Sequence, residues 1–146
     1  MQQKSVTKIQ FTFQSCSFTF KERMKLKVFL NKLLAKEGRK LEAVRYIFCS
    51  DRYLLAINKK FLSHNFYTDI ITFDLTDSFS SEAEIYISVE RVKSNAGEYN
   101  ATFIEELHRV IFHGALHLCG YKDKTRQEKT KMREREDYIL KNYFLA

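Results

Sequence analysis

Ile9, Phe11 and Phe13 alternate with polar neighbours, and this period of two predicts an opening strand. Met24, Val28, Phe29 and Leu33 fall at helical spacing within residues 21–37, where Gly38 can end the helix. Val44, Tyr46 and Phe48 return to strand alternation. Ser50-Asp51 can cap a second helix, with Leu54, Leu55, Ile57 and Phe61 expected on its buried side. A polar stretch at Ser63–Tyr67 leads to two more strands, one carrying Ile71, Phe73 and Leu75 and the other Ile85, Ile87 and Val89. Two helices are then expected, from Asn100 to Leu118 and from a capping box at Thr125-x-x-Glu128. The pattern predicts one α+β (mixed α/β) domain over residues 1–146, with about four strands in a small sheet and helices packed on it.

A chain of 146 residues can bury about 70% of its unfolded surface, and 45% apolar composition supplies the core. The longest apolar stretches, such as Tyr53–Ile57, are too short for a signal sequence or a bilayer span, so a soluble cytoplasmic protein is expected. Cys16, Cys49 and Cys119 form no C-x-x-C pair, and an odd number builds no disulfide framework; all three are expected as reduced, buried small hydrophobes. The net charge of +7 is unevenly spread. Residues 21–45 carry nine Lys/Arg against three Glu, and residues 122–135 seven against three acids. Residues 69–106 reverse the balance, with nine Asp/Glu against two Lys/Arg. Basic flanks around an acidic middle suit a protein that grips phosphates beside acidic chemistry, although solvated helix faces give the same pattern.

The chemistry is concentrated in residues 113–123. Phe103, Leu107, Val110, Ile111, Gly114 and Leu118 centre on one side of their helix, and His113 and His117 lie together about 110° from its middle. Four residues apart, the two imidazoles rise roughly 6 Å and point the same way. Such a pair can place two nitrogens about 2 Å from one metal. Gly120 lets the chain leave the helix, and Asp123 can return as a third ligand in the pattern H-x-x-x-H-x-x-G-x-x-D. Three protein ligands leave a position for water, the mark of a catalytic zinc, so one Zn²⁺ or similar divalent ion per chain is expected on this zincin-like helix. His108 sits about 140° or more around the helix and reads as a surface or packing residue; Cys119 points away, and His64 falls in a loop. The zinc-protease pattern H-E-x-x-H needs Glu where this chain has Gly114. Glu106 shares the face but lies about 10 Å along the axis from His113.

The segment resembles the YbeY signature H-G-x-L-H-L-x-G-Y-D-H, which His113, Gly114, Leu116, His117, Leu118, Gly120 and Tyr121 match. The family's closing Asp-His is Lys122-Asp123 here, which would exchange an imidazole ligand for a carboxylate. Upstream, Asn58-Lys59-Lys60-Phe61-Leu62, Thr68-Asp69-Ile70-Ile71-Thr72-Phe73 and Ala83-Glu84-Ile85 follow the order of the family's Asn-x-x-Tyr-Arg, Thr-Asp-Val-Leu-Ser-Phe and Gly-Asp-Ile. Leu62 occupies the place of the family's arginine, and neither Lys59 nor Lys60 nearby can reproduce its bidentate fork.

The resemblance implies a metal-dependent endoribonuclease acting on single-stranded RNA, in maturation of the small-subunit ribosomal RNA 3′ end and in ribosome quality control. Thr68 and Asp69 are the candidate catalytic groups facing the cleft, with a local turn cap as their other role. Lys59, Lys60, Lys122, Lys124 and Arg126 are candidate RNA contacts. Two other readings stand beside this one: a small zinc metalloprotease or other zinc hydrolase, and a non-catalytic ribosome-binding module whose metal steadies the fold.

Overall fold

The computed structural model describes residues 6–145. Its elements run β1 (Lys8–Gln14), α1 (Arg23–Lys36), β2 (Ala43–Cys49), α2 (Asp51–Leu62), β3 (Ile70–Asp74), β4 (Glu82–Ser88), α3 (Val89–Glu98), α4 (Phe103–Leu118) and α5 (Arg126–Leu145). The mixed α/β expectation holds, with four strands in the order β1-β2-β4-β3. β1, β2 and β4 are parallel, and β3 runs antiparallel against β4.

Period-two alternation builds the main core. Val44, Tyr46 and Phe48 register with Ala83, Ile85 and Ile87, and all six are buried. That face is covered by α1, α4 and α5, whose Leu26, Leu30, Leu107, Ile111, Met132 and Tyr143 join one cluster with it. α2 covers the opposite face through Leu54, packed with Cys49 and Ile71. Tyr46 spans the layers by donating its hydroxyl to the Ile111 carbonyl at 3.0 Å. No helix among the described residues is long and apolar enough to cross a membrane.

Several expectations need correction. Met24 and Val28 are exposed, because Leu26, Leu30, Leu33 and Leu34 form the inward stripe of α1 and residue 24 lies about 200° around from Leu26. Phe61 is exposed too, since α2 buries Leu54 and Asn58 instead. Leu75 lies beyond the end of β3 and is exposed. Val89 belongs to α3 rather than to a strand; Ser88 caps that helix by accepting from the Arg91 amide at 3.1 Å, and Val89, Val92 and Ala96 form its buried side. Cys49 is fully buried, but Cys16 and Cys119 are only partly so; all three are free. The Thr125 capping box forms as expected, Thr125 and Glu128 each accepting from the other's backbone amide.

The position of α4 is set by a close approach to the sheet. A Cβ on Gly114 would meet Ile70 Cδ1 at 3.0 Å and Ile85 Cγ2 at 3.0 Å. Helix propensity alone favours Gly→Ala by about 1 kcal/mol. Here the added methyl meets a β-branched side chain fixed in a buried strand, and overpacking typically costs about 1–3 kcal/mol. Gly114→Ala is therefore expected to lower stability by about 1 kcal/mol in denaturant unfolding; a gain in stability would show that α4 can lift from the sheet.

Candidate metal centre

α4 begins at an N-cap, Thr102, which accepts from the Glu105 amide at 3.1 Å, and ends where Gly120 adopts φ 96°. That left-handed turn lets the Tyr121 carbonyl fold back onto His117 Nδ1 at 2.9 Å. Asp123 is thereby delivered to the two histidines. His113 Nε2 and His117 Nε2 are 3.0 Å apart, and each lies 3.1 Å from Asp123 Oδ2.

Proton placement in this triangle decides what it can hold. The Tyr121 carbonyl can only accept, so His117 Nδ1 carries the proton and its Nε2 presents a lone pair. Glu136 Oε2 accepts in the same way from His113 Nδ1 at 2.5 Å. Two imidazole lone pairs and a carboxylate oxygen then face one another. A proton can serve one of these contacts at a time, whereas a divalent cation serves all three. A tetrahedral ion with ligands about 2 Å away separates them by roughly 3.3 Å, close to the edges seen here. His113, His117 and Asp123 can thus hold a metal ion.

Glu136 is the residue that sequence reasoning missed. It lies on α5, 23 residues from His113, and is almost fully buried. Its second oxygen accepts from Arg109 Nη1 at 3.0 Å, and Arg109 Nη2 donates to Asp137 at 2.6 Å. The chain Asp137–Arg109–Glu136–His113 fixes the tautomer and the ring orientation of the metal-facing imidazole. A signal was present: Met132, Glu136, Ile139 and Tyr143 follow helical spacing on the buried side of α5, with an acid in an apolar row.

His113 and Asp123 open onto a cleft of about 320 Å³ that Asp69, Glu106, Lys129 and Arg133 also line. Asp69 Oδ2 accepts from Asn95 at 3.3 Å. Burial raises the Asp69 carboxyl, against the lowering effect of His113. Burial likewise raises Glu106, opposed by Arg109 and Arg133. At His113, burial acts to lower the pKa, but the hydrogen bond and charge of Glu136, with Asp123 and Asp69, outweigh it and raise the value above 6.5.

The other sequence candidates are dispersed. The Thr68 hydroxyl donates to the Ile70 carbonyl at 3.4 Å in a local turn. Lys59 and Lys60 end α2, while Lys122, Lys124 and Arg126 are exposed around the start of α5. His108 is a packing residue: its Nδ1 donates to the Ile104 carbonyl at 2.7 Å, and its ring stacks on Tyr143.

The family model described as Endoribonuclease YbeY matches residues 7–144. The chain is 46% identical over 133 residues to the Endoribonuclease YbeY of Cytophaga hutchinsonii, covering 90% of this chain and 93% of that protein. It is 42% identical over 125 residues to that of Christiangramia forsetii, covering 86% and 87%. The solution structure of TM1509 from Thermotoga maritima superposes with a TM-score of 0.59 at 28% identity, over 92% of this chain and 89% of that one.

Three substitutions should rank by their distance from the triangle of His113, His117 and Asp123. His113→Ala should abolish metal binding, Glu136→Gln should weaken it about 10–100-fold, and His108→Ala should leave it intact despite a loss of stability. Protons compete for His113, so affinity should fall with pH from above pH 6.5 downward. Equilibrium dialysis against zinc across pH checks both; equal losses in all three variants would contradict the assignment.

Proposed function

The chain belongs to the YbeY endoribonuclease family, and from that membership we propose that it cleaves single-stranded RNA using one zinc ion held by His113, His117 and Asp123. We place this activity in the cytoplasm, at maturation of the small-subunit ribosomal RNA 3′ end and in ribosome quality control, with residues 1–146 acting as one hydrolase domain. The observation that carries the proposal is the Nε2–Nε2–Oδ2 triangle on the wall of a cleft shared with Lys129 and Arg133.

When bound, a divalent ion there would acidify a water and neutralise charge developing on a phosphoryl oxygen. The protein's own groups supply the rest. Arg109 and Glu136 hold His113 in its ligating orientation. Asp69, half-buried, held by Asn95 and raised in pKa, is the carboxyl suited to carry a proton at the cleft. Thr68, whose hydroxyl contacts the Ile70 carbonyl at 3.4 Å and can still accept a hydrogen bond, stays beside Asp69 as a candidate polar group. Lys129 and Arg133 can bind phosphates in the cleft, with Lys122, Lys124 and Arg126 continuing the positive surface from the ligand loop and Lys59 and Lys60 at the end of α2.

A peptidase of the H-E-x-x-H type is opposed by packing as well as by sequence. A glutamate at position 114 would have to enter the contact between α4 and Ile85, where even a methyl is crowded. His113 and Asp123 line the cleft, so a metal held by them would be open to substrate, which favours a catalytic role over a purely structural one.

Zinc-loaded protein should cleave single-stranded RNA, lose that activity on chelation and regain it with zinc, while leaving casein intact. Replacing Lys124 and Arg126 with Gln should reduce the slope of log affinity against log salt by about one to two units. RNA cleavage that survives complete metal removal would overturn the proposal.

A further inference from the structure

Beyond the cleft, the end of α2 and the loop that follows it carry an unusual surface. Phe61, Phe66 and Tyr67 are each more than half exposed, within seven residues of chain. Each ring has a nitrogen-bearing partner beside its face: Lys60 Nζ lies 5.2 Å from the Phe61 centroid, Arg91 Cζ lies 5.1 Å from that of Tyr67, and the His64 ring stacks on Phe66 at 5.0 Å and 22°. Residues 52–68 contain Arg52, Lys59 and Lys60 but no Asp or Glu.

The rings are anchored. Asn58, 1% exposed, donates from Nδ2 to the Phe66 carbonyl at 2.9 Å and accepts at its own carbonyl from the His64 amide at 3.2 Å. Phe61 packs edge-on against Phe73 of β3. Arg91 is held at the Tyr67 ring by an ion pair with Asp51 at 2.7 Å. Tyr67 is two residues from Asp69, which lines the metal cleft. A fixed loop that keeps three aromatic rings in water calls for a partner that uses them.

We propose that Phe61, Phe66 and Tyr67 form a base-stacking platform for single-stranded RNA on its way to the metal cleft, a role that rests on the nuclease reading above for its substrate. An aromatic ring offers any nucleobase a π-face, and Lys60 beside Phe61 can take a flanking phosphate. Paired bases are already stacked and cannot insert, so this surface selects unpaired strands. A protein partner is the weaker fit, because Arg52, Lys59 and Lys60 are the only charges of residues 52–68 and the flanking Asp51 is already paired with Arg91, which leaves a surface that complements a polyanion.

Fluorescence anisotropy of the full zinc-loaded chain, with a short labelled single-stranded RNA and with the same sequence as a duplex, tests this. Phe66→Ala and Tyr67→Ala should each weaken single-strand binding about tenfold and leave duplex binding unchanged. Tyr67→Phe, which keeps the ring, should bind as the wild type does, and zinc content and melting temperature should be unaffected in all three. Ala variants that bind single strands as tightly as the wild type, or that weaken single strand and duplex alike, would overturn the platform and leave a protein-docking surface in its place. Separate cleavage assays keep the two proposals apart: a wild type that cleaves RNA while its Ala variants bind normally removes the platform alone, and one that binds in the ring-dependent way without cleaving removes the nuclease reading alone.

Discussion

Three side-chain atoms within 3.1 Å of one another, two imidazole nitrogens and a carboxylate oxygen, could share one cation, and much of the fold around α4 holds them there. Gly114 presses α4 onto Ile70 and Ile85, fixing where His113 and His117 emerge. Gly120 turns the chain so that the Tyr121 carbonyl sets one imidazole and Asp123 reaches both. Glu136, held by Arg109 from α4 itself, sets the other imidazole. Without an ion, neighbouring lone pairs repel; with one, the backbone turn, the buried carboxylate and the close helix–sheet contact act together.

The grouping of His113, His117 and Asp123 was legible in the sequence because it is local. His113 and His117 are one helical turn apart, Asp123 is six residues beyond His117, and a glycine marks the turn between them. Glu136 was not legible as a partner, because tertiary packing of α5 on α4 brings it across 23 residues. The same division runs through the fold. α3 was missed because Val89 extends the alternation of Ile85 and Ile87 by one step while also opening a helical stripe, and only the Ser88 cap distinguishes the two periods. Phe61 was expected inside because it fits the apolar face of α2, yet the following loop folds back onto Asn58 and leaves the ring in water.

Charge follows similar logic. The acidic middle of the chain supplies Asp69 and Glu106 to the cleft wall, and the basic segment that follows supplies Lys129 and Arg133 to the same cleft. The carboxyl groups and the cations of one cleft are thus drawn from opposite charge blocks of one sequence. At the end of α2, Leu62 offers no charge, and the cation there, Lys60, lies beside the exposed Phe61 ring.

X-ray absorption at the zinc K-edge of the purified, zinc-loaded protein measures most directly whether His113, His117 and Asp123 supply the three protein atoms of a bound zinc's shell. Two imidazole nitrogens, one carboxylate oxygen and a further light atom from solvent, all at about 2.0–2.2 Å, are the expected shell. A sulfur scatterer at about 2.3 Å, or a spectrum unchanged in Asp123→Ala, would contradict it.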